Sequence, residues 1–278
     1  MKLLMISVLQ FGTLDHSTGI RLQQRLVQLR KDGRIGDVLL LLEHTPVITL
    51  GRNAKVSNVI ASNEQLAARG VEVCECDRGG DVTFHGPGQL VGYPIFELRG
   101  FDSSDGKRKT LGVVEYVRRL EEVLIRTCAD FRIPTQRVAG LTGVWTSPGA
   151  VAHPTGSETR LRAGDGAAKV AAIGVHISRG VTSHGFALNV NVDLSYFDLI
   201  VPCGITSKSV TSMAKELGQQ ISLQEVTHSV SRNFGVVFQS QMLWLESLDS
   251  LLGHSVGVPM KPASELRELH AEEETFWA

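Results

Sequence analysis

Two kinds of apolar spacing run through this chain, and their order limits the folds open to it. Leu22, Leu26 and Leu29 recur at helical spacing with arginines on the remaining faces, and Val113, Val117, Leu120 and Leu124 repeat the pattern with Arg118, Arg119, Glu121 and Glu122 outside it. They predict two amphipathic helices, the first ended by Gly33 and the second by Ile133-Pro134. Around them lie short apolar runs bounded by turn residues at 1–11, 37–43, 46–50, 71–76, 81–85 and 89–98, which read as strands. Runs at 169–178 and 181–191 form a hairpin through Arg179-Gly180. A short helix ends at Gly218, and a further one opens at Ser222, with Glu225 at capping-box spacing and Leu223, Val226, Val230 and Phe234 on one face. Strands and helices mix without strict alternation, so the fold class is α/β (α+β) with a mixed sheet rather than a βαβ barrel.

With 278 residues, the chain can bury a core without disulfide or metal. We read one catalytic domain over 1–240, a C-terminal extension over 241–278, and an exposed insertion loop at 147–166, where Pro, Gly, Ser and Thr lack periodicity. Charge is balanced, 28 basic against 29 acidic residues, which argues against nucleic acid as a partner. The longest aliphatic run, 38–42, is far below the roughly 20 residues of a membrane span, so no membrane partner is expected. The apolar start has no small-x-small cleavage site behind it, and Cys74, Cys76, Cys128 and Cys203 read as reduced thiols. A cytoplasmic setting follows, with an organellar one left open.

No phosphate-binding Gly-x-x-x-x-Gly-Lys motif occurs, so neither ATP nor a dinucleotide is expected as a cofactor, and Cys74-Glu75-Cys76 has no second pair with which to hold a metal. The densest unusual segment runs from Arg78 through Gly79, Gly80, Asp81, Val82, Thr83, Phe84 and His85 to Gly86-Pro87-Gly88-Gln89. Its glycines allow a ligand close to backbone N–H groups, although a Gly-rich hairpin with a satisfied histidine has the same composition. Cys203 stands between Pro202 and Gly204 at a strand-to-helix turn, where a thiol is either an exposed nucleophile or a small buried hydrophobe. Lys169 opens an otherwise apolar strand, where it either faces a cleft or snorkels from the strand end.

The segments 78–97, 169–191 and 201–213 resemble, in order and detail, the lipoyl(octanoyl) transferases. The shared motifs are Arg-Gly-Gly-x-Val-Thr-aromatic-His-Gly-Pro-Gly-Gln, Lys-x-Ala-Ala-Ile-Gly, His-Gly-x-Ala-x-Asn and Pro-Cys-Gly-Ile. The resemblance implies the catalytic fold of biotin and lipoate protein ligases. It also implies octanoyl transfer from acyl carrier protein to a lysine of lipoyl domains, those of 2-oxoacid dehydrogenases and the glycine cleavage H protein, without cofactor. By position it makes Cys203 the acyl-thioester nucleophile and Lys169 its partner, with 78–85, Ala172-Ile173-Gly174 and Gly185-Phe186-Ala187 lining the substrate pocket. Phe84 stands where many members have Tyr, and His176 where many have Arg. Competing readings are an ATP-dependent lipoate or biotin ligase, which would not need Cys203, and a cysteine acyl-thioester hydrolase using His85 or His184. The chemistry agrees with the residues: thioester-to-thioester exchange is near balance and amide formation is downhill, so no ATP is needed. An ordinary thiol is only about 3 % thiolate at pH 7, which a nearby ammonium raises.

Overall fold

The computed structural model of the chain describes residues 4–103, 106, 110–147, 166–202 and 209–253. In chain order the elements are β1 (Leu4–Leu14), α1 (His16–Lys31), β2 (Asp37–His44), β3 (Val47–Leu50), α2 (Asn63–Ala68), β4 (Glu72–Glu75), β5 (Val82–His85) and β6 (Gln89–Ile95). There follow α3 (Val113–Asp130), β7 (Thr135–Val138), β8 (Leu141–Thr146), β9 (Lys169–Ser178), β10 (Val181–Asn189), α4 (Met213–Leu217), α5 (Leu223–Phe238), β11 (Ser240–Trp244) and α6 (Ser250–Gly253). The mixed α/β class expected from the spacing is what the chain forms.

An eight-stranded sheet of order β11-β1-β2-β6-β10-β9-β8-β7 carries the fold. β1 runs parallel to both β11 and β2, and the other pairings in the sheet are antiparallel. β2 reads as a continuous apolar run because both of its faces are covered. Leu39 and Leu41 pack toward α3 and α5, among Leu120, Leu124, Val230 and Phe234. Val38, Leu40 and Leu42 pack toward α1, among Leu22, Leu26 and Leu29. Burial of each such side chain stabilises the fold by about 1.5–3 kcal/mol.

Helix α1 begins where Asp15 accepts the Thr18 N–H at 2.9 Å, satisfying one of the orphan donors of the first turn. Ser222 caps α5 in the same way, and α4 ends on Gly218 in the left-handed region at φ 69°. The apolar face of α3 is turned from the expected one. Leu120 and Leu124 are buried as expected, but Val113 is 53 % exposed, and Tyr116 and Val123 complete the buried stripe in its place.

A second sheet, β4-β3-β5, stands beside the first. Its core joins Ile48, Val82 and Phe84 to Leu66 of α2 and to Phe197, Leu199 and Ile200. The boundary drawn at residue 240 falls on the first residue of β11, which pairs with β1 from Leu4↔Ser240 to Val8↔Trp244. Beyond it, Leu245, Leu248 and Leu251 pack in the α1 cluster. Residues 148–165 of the expected insertion loop and 254–278 of the tail lie outside the described residues.

Candidate active site

A cavity of about 370 Å³ is lined from both sheets. This lies at the lower end of the roughly 300–1,000 Å³ typical of small-molecule sites. Two walls can be distinguished by chemistry. One is made by β9 and β10, with Lys169, Ala172, Ile173, Gly174, Gly185, Phe186 and Ala187. The other takes Thr49 from β3, Thr83 and His85 from β5, Tyr93 from β6 and His16 from α1, and Arg78, Gly79, Gly80 and Asp81 extend it.

Small residues on the first wall are a packing requirement. A Cβ on Gly185 would stand 2.2 Å from the Gly92 carbonyl oxygen and 2.5 Å from Pro94 Cδ, so β10 approaches β6 this closely only as bare backbone. Lys169 is 8 % exposed. Its N–H donates to the Ser209 carbonyl, and its own carbonyl accepts the Thr211 N–H, both at 2.9 Å.

The second wall is a hydrogen-bonded network in which neutral imidazoles and hydroxyls surround Arg78 and Asp81. His44, beneath it, hydrogen-bonds the Leu14 carbonyl through Nδ1 at 2.9 Å, so Nδ1 carries the proton and Nε2 accepts from the Tyr93 hydroxyl at 2.6 Å. Burial holds the pKa of His44 down at about 4. Burial, with the neighbouring His44, His184 and Arg78 adding to it, holds that of His16 at about 4. His85 is likewise pushed well below the usual imidazole range by burial. Its Nδ1 donates to Gln89 Oε1 at 2.7 Å, while Gln89 Nε2 donates to Asn189 Oδ1 at 2.9 Å. The unprotonated Nε2 of His85 therefore faces Thr49 Oγ1. Thr49 in turn holds Arg78, whose Nη2 donates to the Thr49 carbonyl at 2.7 Å and to its Oγ1 at 2.8 Å. Asp81 stiffens the loop by accepting N–H groups of Val82 and Lys55 and the side-chain amide of Asn58. At the rim, His184 donates from Nε2 to Asp77 at 2.7 Å, and His176 lies 3.6 Å from the same carboxylate.

Among the residues expected to line the pocket, Val82 and Phe84 do not. They are the alternate residues of β5 and point into the core of the small sheet, where Phe84 stacks on Tyr196 at 4.6 Å. A contiguous motif was read as a contiguous surface, whereas a strand presents every second side chain. Phenylalanine in place of the family's tyrosine thus leaves the cavity wall untouched. Cys203 lies outside the described residues. His16, Thr49, Tyr93, Leu141 and His184 were not expected in the lining. Tyr93 and His184 carried a findable signal, Tyr93 by alternation from Val91 and His184 as the neighbour of Gly185. His16 had none. Cys128 is buried in the core, its thiol pushed up to about 12 by desolvation. Among the described residues no group of side chains is arranged to hold a metal, and no helix is long and apolar enough to cross a membrane.

This cavity, at the seam of two sheets with a buried lysine in its wall, belongs to a catalytic domain found elsewhere. Residues 15–235 match the family described as lipoyl protein ligase A/B catalytic domain. The crystal structure of lipoate-protein ligase A bound with ATP superposes with a TM-score of 0.62 at 14 % identity, covering 97 % of this chain and 93 % of that one. A bi-partite lipoate protein ligase from Thermoplasma acidophilum gives 0.62 at 14 % identity over 97 % and 91 %. At that identity the likeness is one of fold. Sequence carries it further. The octanoyltransferase of Koribacter versatilis is 58 % identical over 97 % of this chain and 98 % of its own length. Those of Acidobacterium capsulatum and Chloroflexus aurantiacus are 56 % and 49 % identical over 90 % and 84 % of this chain, and 96 % and 94 % of their own. The chain belongs to the octanoyltransferase family and is an acyltransferase.

Proposed function

We propose that this enzyme transfers an octanoyl group from acyl carrier protein to a lysine of lipoyl domains through a thioester on Cys203. The Cys203 thiolate attacks the carrier thioester carbonyl, the carrier sulfur leaves, and Lys169 returns a proton to it. The amine of the acceptor lysine then attacks the Cys203 thioester, giving the amide and releasing the Cys203 thiolate. Lys169 takes up the amine's proton in this step. The acceptors are lipoyl domains of 2-oxoacid dehydrogenases and the glycine cleavage H protein, and the setting is cytoplasmic.

The observation that carries the reading is the buried Lys169 in a wall of glycine, alanine, isoleucine and phenylalanine, with His184 held at the rim by Asp77. An apolar wall with one ammonium suits an acyl chain whose reacting end must be served by a proton carrier. Seven apolar carbons buried at about 0.8 kcal/mol each contribute roughly 5–6 kcal/mol to holding the chain.

Intact mass after mixing with octanoyl carrier protein, without ATP, should show one octanoyl adduct on the wild type and none on Cys203→Ala. Addition of a lipoyl domain should then discharge it to the domain. An adduct persisting on Cys203→Ala, or discharge to water alone, would refute the reading, and strict need for ATP would favour a ligase.

A further inference from the structure

Lys169 is braced from two sides. Residues 209–211 hold its backbone on one, and β8 closes on the other, where the register pairs Trp145 with Lys169. The Lys169 Nζ lies 4.7 Å from the centre of the Trp145 ring. Two residues before the tryptophan, Gly143 has φ 121°, and a Cβ there would come within 2.6 Å of the Ala171 carbonyl oxygen and 3.4 Å of Lys169 Cε. Only bare backbone lets β8 close on the lysine stem. The Gly143 N–H donates at 3.2 Å to Oε1 of Glu121, a fully buried carboxylate whose other oxygen accepts from Arg118 at 2.6 Å and Arg137 at 3.2 Å.

Trp145 itself is 1 % exposed, and among the described residues its indole N–H has no hydrogen-bond partner. A buried N–H without a partner is unfavourable, and phenylalanine or leucine would fill apolar space without it. What tryptophan adds here is the ring face, the strongest side-chain surface for a cation. We infer that Trp145 is a positioning residue for acyl transfer, its indole face holding the Lys169 ammonium in the cavity wall while Gly143 and Glu121 brace β8 behind it. The inference rests on Lys169 acting as the proton-carrying partner and adds what fixes that group in place. Position matters because displacing a catalytic group by about 1 Å costs on the order of 10²-fold in rate.

A double-mutant cycle tests it, with Trp145→Leu, Trp145→Phe, Lys169→Ala and the double variants assayed for octanoyl transfer from carrier protein across pH, kcat and KM separated. Trp145→Leu should lower kcat about tenfold with KM within about twofold, and move the pH profile in the same direction as Lys169→Ala. In the Lys169→Ala background the same substitution should cost little further, because the two residues act as a unit. Trp145→Phe keeps a ring, should lose about threefold, and carries the cycle if the leucine variant does not fold. Additive losses overturn the positioning role, as does a wild-type kcat and pH profile in the folded tryptophan variants while Lys169→Ala is slow. A Lys169→Ala enzyme at wild-type rate and profile overturns the lysine's role as well.

Discussion

The two walls of the cavity are both strand-built and both buried, yet they treat polarity in opposite ways. On the β9–β10 wall nearly everything is small or apolar, and polarity is concentrated in Lys169 over an indole face. On the opposite wall polar side chains are dense, but His44 with Tyr93 and His85 with Gln89 satisfy one another in fixed tautomers, Gln89 being held in turn by Asn189 of β10. One wall is a smooth surface with a single ammonium, the other a rigid hydrogen-bonded set in which neutral imidazoles sit beside an Arg78 tied to Thr49. Changes on the first should therefore alter rate and chain preference, and changes on the second should alter stability and its dependence on pH.

The sharpest way to break this contrast is at the lysine of the smooth wall. Lys169→Ala should leave the melting temperature nearly unchanged while slowing acyl transfer by roughly 10²–10⁴-fold, the usual worth of a general acid–base group. A large loss of stability with intact rate would put the lysine in the structural class. Acid should act on the other wall. His16 and His44 have folded pKa values of about 4 against 6.5 unperturbed, so below pH 6.5 the unfolded chain binds more protons than the folded one. Stability is then fully present above about pH 6.5 and is lost as pH falls toward 4. Between pH 7 and 5 each group should remove about 2 kcal/mol, read as a falling urea midpoint. A flat midpoint over that range would show that these imidazoles are not buried neutral.

Smaller effects refine the picture. Tyr93→Phe leaves His44 Nε2 buried without its donor and should destabilise by about 1–3 kcal/mol in urea unfolding. At the low end of the series, Ala187→Val narrows the smooth wall and should shift preference from octanoyl toward hexanoyl carriers by about 1 kcal/mol in kcat/KM, with little change in stability. If the valine variant instead keeps the wild-type chain profile, Ala187 does not face the acyl chain.

Much of this was legible in the chain. Leucines at helical spacing located α1, and the apolar run at 37–43 marked a strand covered on both faces. Lys169, Ala172, Ile173 and Gly174 of the Lys-x-Ala-Ala-Ile-Gly motif do line one wall, while Ala171 is buried in the core. What escaped was set by distance in sequence or by the pleat. His16 meets His44 and Thr49 meets Arg78 only through the meeting of separate elements, which local spacing does not encode. Val82 and Phe84 were misassigned because the period of two was not applied inside a motif. Arg30, one of the arginines on the polar faces of α1, bonds Asp37 at 2.7 Å. Such pairing depends on where β2 begins relative to α1.

The pairing of β1 with β11 also bears on how the protein is made. Residues Leu4 to Val8 leave the ribosome long before 240–244, yet only that later strand completes their outer hydrogen-bonding edge. At about 5–20 residues per second, roughly ten to fifty seconds separate the synthesis of the two strands. During that interval β1 presents an unpaired apolar edge to every other nascent chain nearby. The exposed Met5, at 47 %, lies on this seam. A charge there would act as a gatekeeper during synthesis rather than as a stabiliser of the finished fold.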